Sequence, residues 1–253
     1  PDNPQGDITI IGINYGGIHQ LMQTFYADGS IDRNEMIQLL RSAAIDGTVT
    51  ATELADFRFI VAANSPFSMP DHVRGLARNV VYDNPANLKF QGQTAGNLSA
   101  GSSGDLMNQL VDKWFLGADL PTLTSPTISY RYAVGSLFNG ASTIADSRQG
   151  MLGDCYFLAS LVSIAQVNPT AIQNMFTDNG DGTFTIRFYQ GSLGLFWQGG
   201  LISAGFLSGS GVADYVTVSR DLPTFSNGGL AYSGYGRSAL SADTPLWLAL
   251  AEK

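Results

Sequence analysis

The sequence is short of the residues on which metal and acid–base chemistry usually depends. Its 253 residues include one cysteine, Cys155, and two histidines, His19 and His72. A single cysteine excludes an internal disulfide framework and a thiolate zinc cluster. Two histidines leave little room for histidine-based metal chemistry. Basic residues are scarce as well: 13 Lys and Arg stand against 21 Asp and Glu, for a net charge of −8 and a pI near 4.5. A nucleic-acid binder would carry a basic face, so this balance argues against one. No apolar run approaches the length of a membrane span. The sequence opens at Pro1 without a methionine or a signal-type apolar stretch, so a targeting segment is expected to be absent or removed. Hydrophobic residues, by contrast, make up 44% and charged residues only 13%. That is the balance of a globular chain with a core and the reverse of disorder. The length allows one large domain or two modest ones.

The chain reads as two unlike halves. Apolar residues recur at helical spacing over 17–25, 34–44, 53–63 and 71–82. The tract 92–104, rich in Gly, Ser, Thr and Asn, reads as a loop or linker. A further amphipathic helix is expected over 105–116, and a proline-marked stretch at 121–126 follows it. The domain boundary is placed there, giving a helical accessory or pro-domain over 1–125 and a mixed domain over 126–253. In the second half, 155–167 is an apolar run of helix length halted by Asn168-Pro169. The turn Asn179-Gly180-Asp181-Gly182 leads into an alternating strand over 183–189, and 215–219 is a second strand. Pro245 opens a last helix at a first-turn position. That helix reaches Lys253 without a cap or breaker, so the sequence is expected to be cut there.

Two segments of the helical half repeat the pattern Asp-Gly-x-β-branched-x-x-x-Glu, at Asp28 to Glu35 and Asp46 to Glu53. Calcium loops of the helix–loop–helix type end in a similar way. Here Thr24, Tyr26, Ser42 and Ala44 occupy the positions of the first oxygen ligands, so a hard cation would lose most of its carboxylates. The reading that fits every residue is structural. Asp-Gly makes the turn, Ile31 or Val49 anchors it, and Asp32 and Thr50 cap helices with Glu35 and Glu53 closing capping boxes. A calcium-sensing repeat is the alternative. His19 and His72 belong to this half, where nothing nearby supplies a ligand set.

The cysteine stands in the run Gln149-Gly150-Met151-Leu152-Gly153-Asp154-Cys155-Tyr156-Phe157-Leu158-Ala159. The two glycines permit a sharp turn and close backbone approach. Asp154 can cap a helix, which puts Cys155 in the first turn, where free N–H groups and the positive end of the dipole favour a thiolate. Gln149, six residues earlier, carries a neutral amide donor. With the Cys155 N–H it could form an oxyanion hole. The alternative for a lone thiol is a small buried hydrophobe.

This run strongly resembles the cysteine motif of the calpain family of papain-like peptidases, Gln-Gly-x-Leu-Gly-Asp-Cys-Trp-Phe-Leu-Ala, with Tyr156 in place of the tryptophan. Three later segments are similar to the family in the same order: Gly182 to Tyr189, Val216 to Thr224, and the Leu-Trp-x-x-Leu-x-Glu-Lys pattern at Leu246 to Lys253. The resemblance implies an α+β chain, with a helical N-terminal domain followed by the first, cysteine-bearing lobe of a two-lobed peptidase. It implies Cys155 as nucleophile, Gln149 as oxyanion donor, and a protein or peptide substrate. The histidine base and its asparagine would come from a second lobe, in cis or as a separately processed chain. In papain-type enzymes those residues follow the cysteine by roughly 130–150 positions. No histidine follows His72 here, so the chain alone is expected to be inactive. The chemistry requires no cofactor. The family's first lobe also binds calcium, and Asp146 matches one of its ligands. Thr244-Pro245 stands where another ligand, a glutamate, is expected; Asp243 is a candidate substitute. A non-catalytic calpain-like interaction or regulatory module is the alternative function. Few lysines, an acidic balance and abundant small polar residues suit a bacterial or exported protein, and the lone thiol does not decide between cytoplasm and export.

Overall fold

The computed structural model describes residues 12–123, 125–140, 147–190, 193–198, 201–206, 211–233 and 240–253, with an α+β architecture. The helical half runs through α1 (Gly16–Phe25), α2 (Arg33–Ser42), α3 (Ala51–Ile60) and α4 (Asp71–Val81). A two-residue hairpin, β1 (Lys89–Phe90) with β2 (Gln93–Thr94), precedes α5 (Gly104–Leu116). The Asp-Gly repeat has a structural explanation in full. Asp32 caps α2 and Thr50 caps α3, each in a reciprocal capping box with Glu35 or Glu53. Ile31 and Val49 are fully buried. Asp28 and Asp46 each accept a backbone N–H two residues on, from Ser30 and Thr48. Gly29 and Gly47 take positive φ, at 87° and 85°, which the turns require.

The Gly/Ser tract is part of this half. The Val49 N–H donates to Ser102 O at 2.8 Å, the Gly101 N–H to Val49 O at 2.9 Å, and the Gly104 N–H to Gly47 O at 2.9 Å. Leu98 is buried, and Ser103 caps α5 through the Leu106 N–H. The tract therefore packs down the second Asp-Gly turn. Its small side chains allow the two backbones to meet, as they do at Gly104, where a Cβ would lie 2.6 Å from Ala44 O.

The second half begins with β3 (Ile128–Tyr132), followed by α6 (Cys155–Val167), α7 (Pro169–Gln173), β4 (Phe176–Asp178), β5 (Thr183–Gln190), β6 (Leu193–Gln198), β7 (Leu201–Phe206), β8 (Val212–Ser219), β9 (Asp221–Phe225) and α8 (Trp247–Glu252). β5 is the centre of an antiparallel sheet ordered β4-β5-β8, in register from Thr183 opposite Ser219 to Gln190 opposite Val212. β3 pairs with β9, and β6 with β7. One buried cluster joins Phe184, Ile186, Val218 and Leu222 to Leu246 and Leu250. A second joins Leu158, Leu161 and Ala165 of α6 to Trp247, Leu248 and Ala251 of α8. The start of α8 is tied down by Leu246 N–H to Ser136 O at 3.0 Å and Trp247 N–H to Leu137 O at 3.1 Å. These bonds satisfy N–H groups that a helix start leaves open.

Among the described residues, three contacts between the helical half and the β4-β5-β8 sheet can be traced to particular side chains or glycines. Tyr215 of β8 packs on the helical core and lies over His72 with ring centroids 6.4 Å apart. Gly75 makes room for it, since a Cβ there would be 2.6 Å from the Tyr215 ring. Burial and the Arg33 charge push the His72 imidazole below its ordinary value, against the opposing pull of Asp71. Gly117, with φ of 60°, lets the end of α5 abut β8; a Cβ would lie 2.7 Å from the Ser219 nitrogen. The third is Arg33, which is 9% exposed. Its guanidinium donates to Phe115 O at 2.5 Å and to Thr183 Oγ1 at 3.3 Å, and pairs with Asp181 Oδ2 at 2.9 Å. Burial works to raise the Asp181 carboxyl, but hydrogen bonds from Thr183 and the Arg33 charge outweigh it and hold the group below its usual range.

Replacing Arg33 by Ala removes all three contacts and strands the Phe115 carbonyl. Urea unfolding is expected to show a loss of about 2–3 kcal/mol. Asp181→Ala, at the more exposed end of the pair, should cost under about 1 kcal/mol. Equal effects would contradict the assignment of the contact's strength to the buried arginine.

Candidate active site

Cys155 is the first residue of α6 and is solvent-exposed. What places it there is the loop before it. The Gln149 amide Nε2 donates to Leu152 O at 2.8 Å and closes the loop on itself. The Met151 N–H donates to Ala231 O at 3.0 Å. Gly150 lies flat on the same segment, where a Cβ would sit 2.1 Å from Tyr232 O and 2.5 Å from Ala231 O. No side chain fits in that space. The Asp154 carbonyl then accepts from the Phe157 N–H at 2.8 Å and the Leu158 N–H at 3.2 Å, and α6 begins.

The helix is held on one side only. Leu158, Leu161 and Ala165 are buried against α8, whereas Tyr156 is 77% and Val167 86% exposed. The thiol thus sits at the mouth of a helix whose back is fixed in the core and whose front is open. Unpaired N–H groups and the positive end of the helix dipole lie at that mouth.

The expectation that Asp154 caps α6 through its side chain is corrected by the structure. Asp154 is at the N-cap position but makes no side-chain cap hydrogen bond. Its carboxyl meets that of Glu252, at the end of α8, side chain to side chain. Asp154 Oδ1 and Glu252 Oε1 are both buried and find no donor among the described residues. The other Glu252 oxygen, Oε2, accepts the Ser233 N–H at 2.5 Å. Two ionised carboxylates only accept hydrogen bonds and offer each other no donor, so the contact favours the protonated form of Glu252. Burial drives this, with the Asp154 charge adding to it and the Ser233 bonds opposing it, and the Glu252 carboxyl is pushed up to about 7. Its neighbour Lys253 is pushed down to about 8 by burial, although the Asp221 charge works the other way. The Lys253 ammonium donates to Ser219 O at 3.0 Å and Ser219 Oγ at 2.9 Å.

The loop that carries Gln149 and leads into Cys155 is therefore held against Ala231 and Tyr232. Asp146 lies outside the described residues. The Asp243 carbonyl accepts from Asn139 Nδ2 at 3.0 Å. Among the described residues no group of three or more His, Cys, Asp or Glu could hold a metal ion. No helix among them is long and apolar enough to cross a membrane. Glu252 falls within the last of the family-like sequence patterns, which assigns it no role; its distance along the chain from Asp154 hides the contact. Ser233 has no sequence signal at all.

Residues 130–196, from β3 to β6, match the family model of the calpain family cysteine proteases. Over that stretch the chain is similar to the calpain family. The matched stretch contains Gln149, Asp154 and Cys155, while the helical half and α8 lie outside it. No curated protein and no solved structure matches the chain.

Two outcomes test this geometry. Gly150→Ala must displace the loop from the carbonyls of 231–232, at about 1–3 kcal/mol in a urea titration. The Glu252 carboxyl is raised above its unfolded value of 4.5, so the folded state favours its protonated form. Its stabilising contribution is complete below about 4.5 and is lost as pH rises through about 7. Thermal unfolding should show that decline in the wild type and a flatter profile in Glu252→Gln. A decline of the same size in the variant would contradict its origin in the Glu252 carboxyl.

Proposed function

We propose that this chain is the first part of a calpain-like cysteine endopeptidase: a helical accessory or pro-domain over 1–125, then the first catalytic lobe over 126–253. The observation that carries the reading is an exposed cysteine at the first position of a core-anchored helix, inside the family match. Cys155 is the nucleophile. Its thiolate attacks the peptide carbonyl carbon, and the carbonyl electrons move onto oxygen. The Cys155 N–H and the Gln149 amide hold that oxyanion. A side-chain amide nitrogen carries two protons. One closes the loop onto Leu152 O, and the second is left for the oxyanion.

Collapse of the tetrahedral intermediate breaks the C–N bond and leaves a thioester on Cys155. The departing amine takes its proton from an imidazolium that a second lobe supplies, and water then hydrolyses the thioester. The second lobe is the chain's obligatory partner, in cis or as a processed chain, and the substrate is a protein or peptide. A pro-domain role for 1–125 would make the chain part of a zymogen of bacterial type. Asp146 is proposed as a calcium ligand on the family resemblance alone. The described residues do not complete such a site, and no step above uses calcium.

In protein containing the second lobe, Cys155→Ala is expected to abolish hydrolysis of an unfolded protein substrate. Gln149→Ala should lower kcat on the order of 10²–10³-fold. Undiminished hydrolysis by the Cys155→Ala protein would overturn the assignment.

A further inference from the structure

The carboxyl pair of Asp154 and Glu252 spans the two ends that define the nucleophile's position. Asp154 is the residue before Cys155, and Glu252 ends the helix against which α6 packs. Through Oε2, Glu252 also holds the Ser233 N–H, on the segment that carries the Gly150 contact and the Met151 hydrogen bond. The Glu252 carboxyl thus sits where α6, α8 and the 231–233 segment converge. Among the described residues, the groups facing Glu252 are Asp154 on the α6 side and Ser233, whose bonds oppose the rise of the Glu252 carboxyl. Lys253, next in the chain, is turned to Ser219. Nothing described there supplies a positive charge to offset a second carboxylate.

We propose that Glu252 is a positioning residue for the nucleophile: in its protonated form it ties Asp154 to the 231–233 segment, and loss of that proton places a second negative charge beside the start of α6 and suppresses thiolate formation at Cys155. The inference deepens the reading of Cys155 as nucleophile and rests on it. A like charge near the N-terminus of α6 opposes the helix dipole that favours a thiolate. On ionisation of Glu252 the proton passes to bulk solvent. The rise of Glu252 to about 7 puts that step in the neutral range.

The sole cysteine makes the test direct, because alkylation of the 253-residue chain reports on Cys155 alone and needs no second lobe. Iodoacetamide rates would be measured from pH 5.5 to 9 on the wild type and Glu252→Gln. The glutamine keeps the shape of the protonated acid: its N–H₂ donates to Asp154 and its carbonyl accepts from Ser233. Rates are expected to agree below pH 6. Near pH 8 the variant should react about threefold faster, the size of effect expected of one unit charge acting through a water-accessible setting. The wild-type profile should carry an extra inflection near 7 that the variant lacks. Superimposable profiles would overturn the proposal, since a purely structural glutamate has no reason to change the pH dependence. If the variant does not fold, carboxyl ¹³C NMR of the wild type decides. A side-chain carboxyl titrating near 7 supports the pair, and all carboxyls titrating below 5 overturn it. The Cys155→Ala peptidase assay separately tests the nucleophile reading, and the alkylation profile stands whichever way that assay falls.

Discussion

The position of Cys155 depends on one steric constraint, the contact of Gly150 with the carbonyls of Ala231 and Tyr232. A loop that approaches another backbone this closely cannot slide, and its next amide, at Met151, is bonded to the same segment. The chain leaves that contact, turns through Gly153 and enters α6 at the cysteine. The helix cannot rotate to hide the thiol, because Leu158, Leu161 and Ala165 are committed to Trp247, Leu248 and Ala251. An exposed thiol at a helix mouth is therefore a consequence of packing on the opposite face. The same arrangement brings Asp154 to Glu252, whose burial pushes its carboxyl up to about 7.

The helical half stands apart from this chemistry, as its contacts show. Among the described residues they include β8 and the turn between β4 and β5, through Tyr215, Gly117 and Arg33, and β3, through the Tyr130 hydroxyl on Pro121 O. It is fastened by one buried cation, one aromatic pair and two glycines that let backbone or ring approach. Its own core, from Ile18 to Phe115, is continuous. That core is built from helices whose starts are set by the capping residues of the Asp-Gly repeat, and the carboxylates that suggested a cation are occupied with backbone amides.

Local signals in the sequence proved legible. The capping boxes at Asp32 and Thr50, the start of α6 at Cys155, and the strand from Thr183 follow from short-range chemistry: side chain to nearby N–H, apolar run, turn glycine. Long-range polar contacts were not legible. Arg33 reads as an ordinary first-turn arginine, and its partners Phe115 and Thr183 lie far along the chain. Asp154 reads as a cap, yet tertiary packing delivers Glu252 to it, and two acids do not announce themselves as partners. The Gly/Ser tract has the composition of a linker. It is held by backbone hydrogen bonds to Val49 and Gly47, which composition does not encode.

The central claim is that Cys155 supplies the atom that bonds to substrate. It is tested most directly by treating protein that contains the second lobe with a peptidyl epoxide and mapping the adduct by mass spectrometry. The account predicts one covalent adduct, on Cys155, formed faster than with the 253-residue chain alone. An unmodified Cys155 in protein that hydrolyses peptides and is inhibited by the epoxide would contradict it.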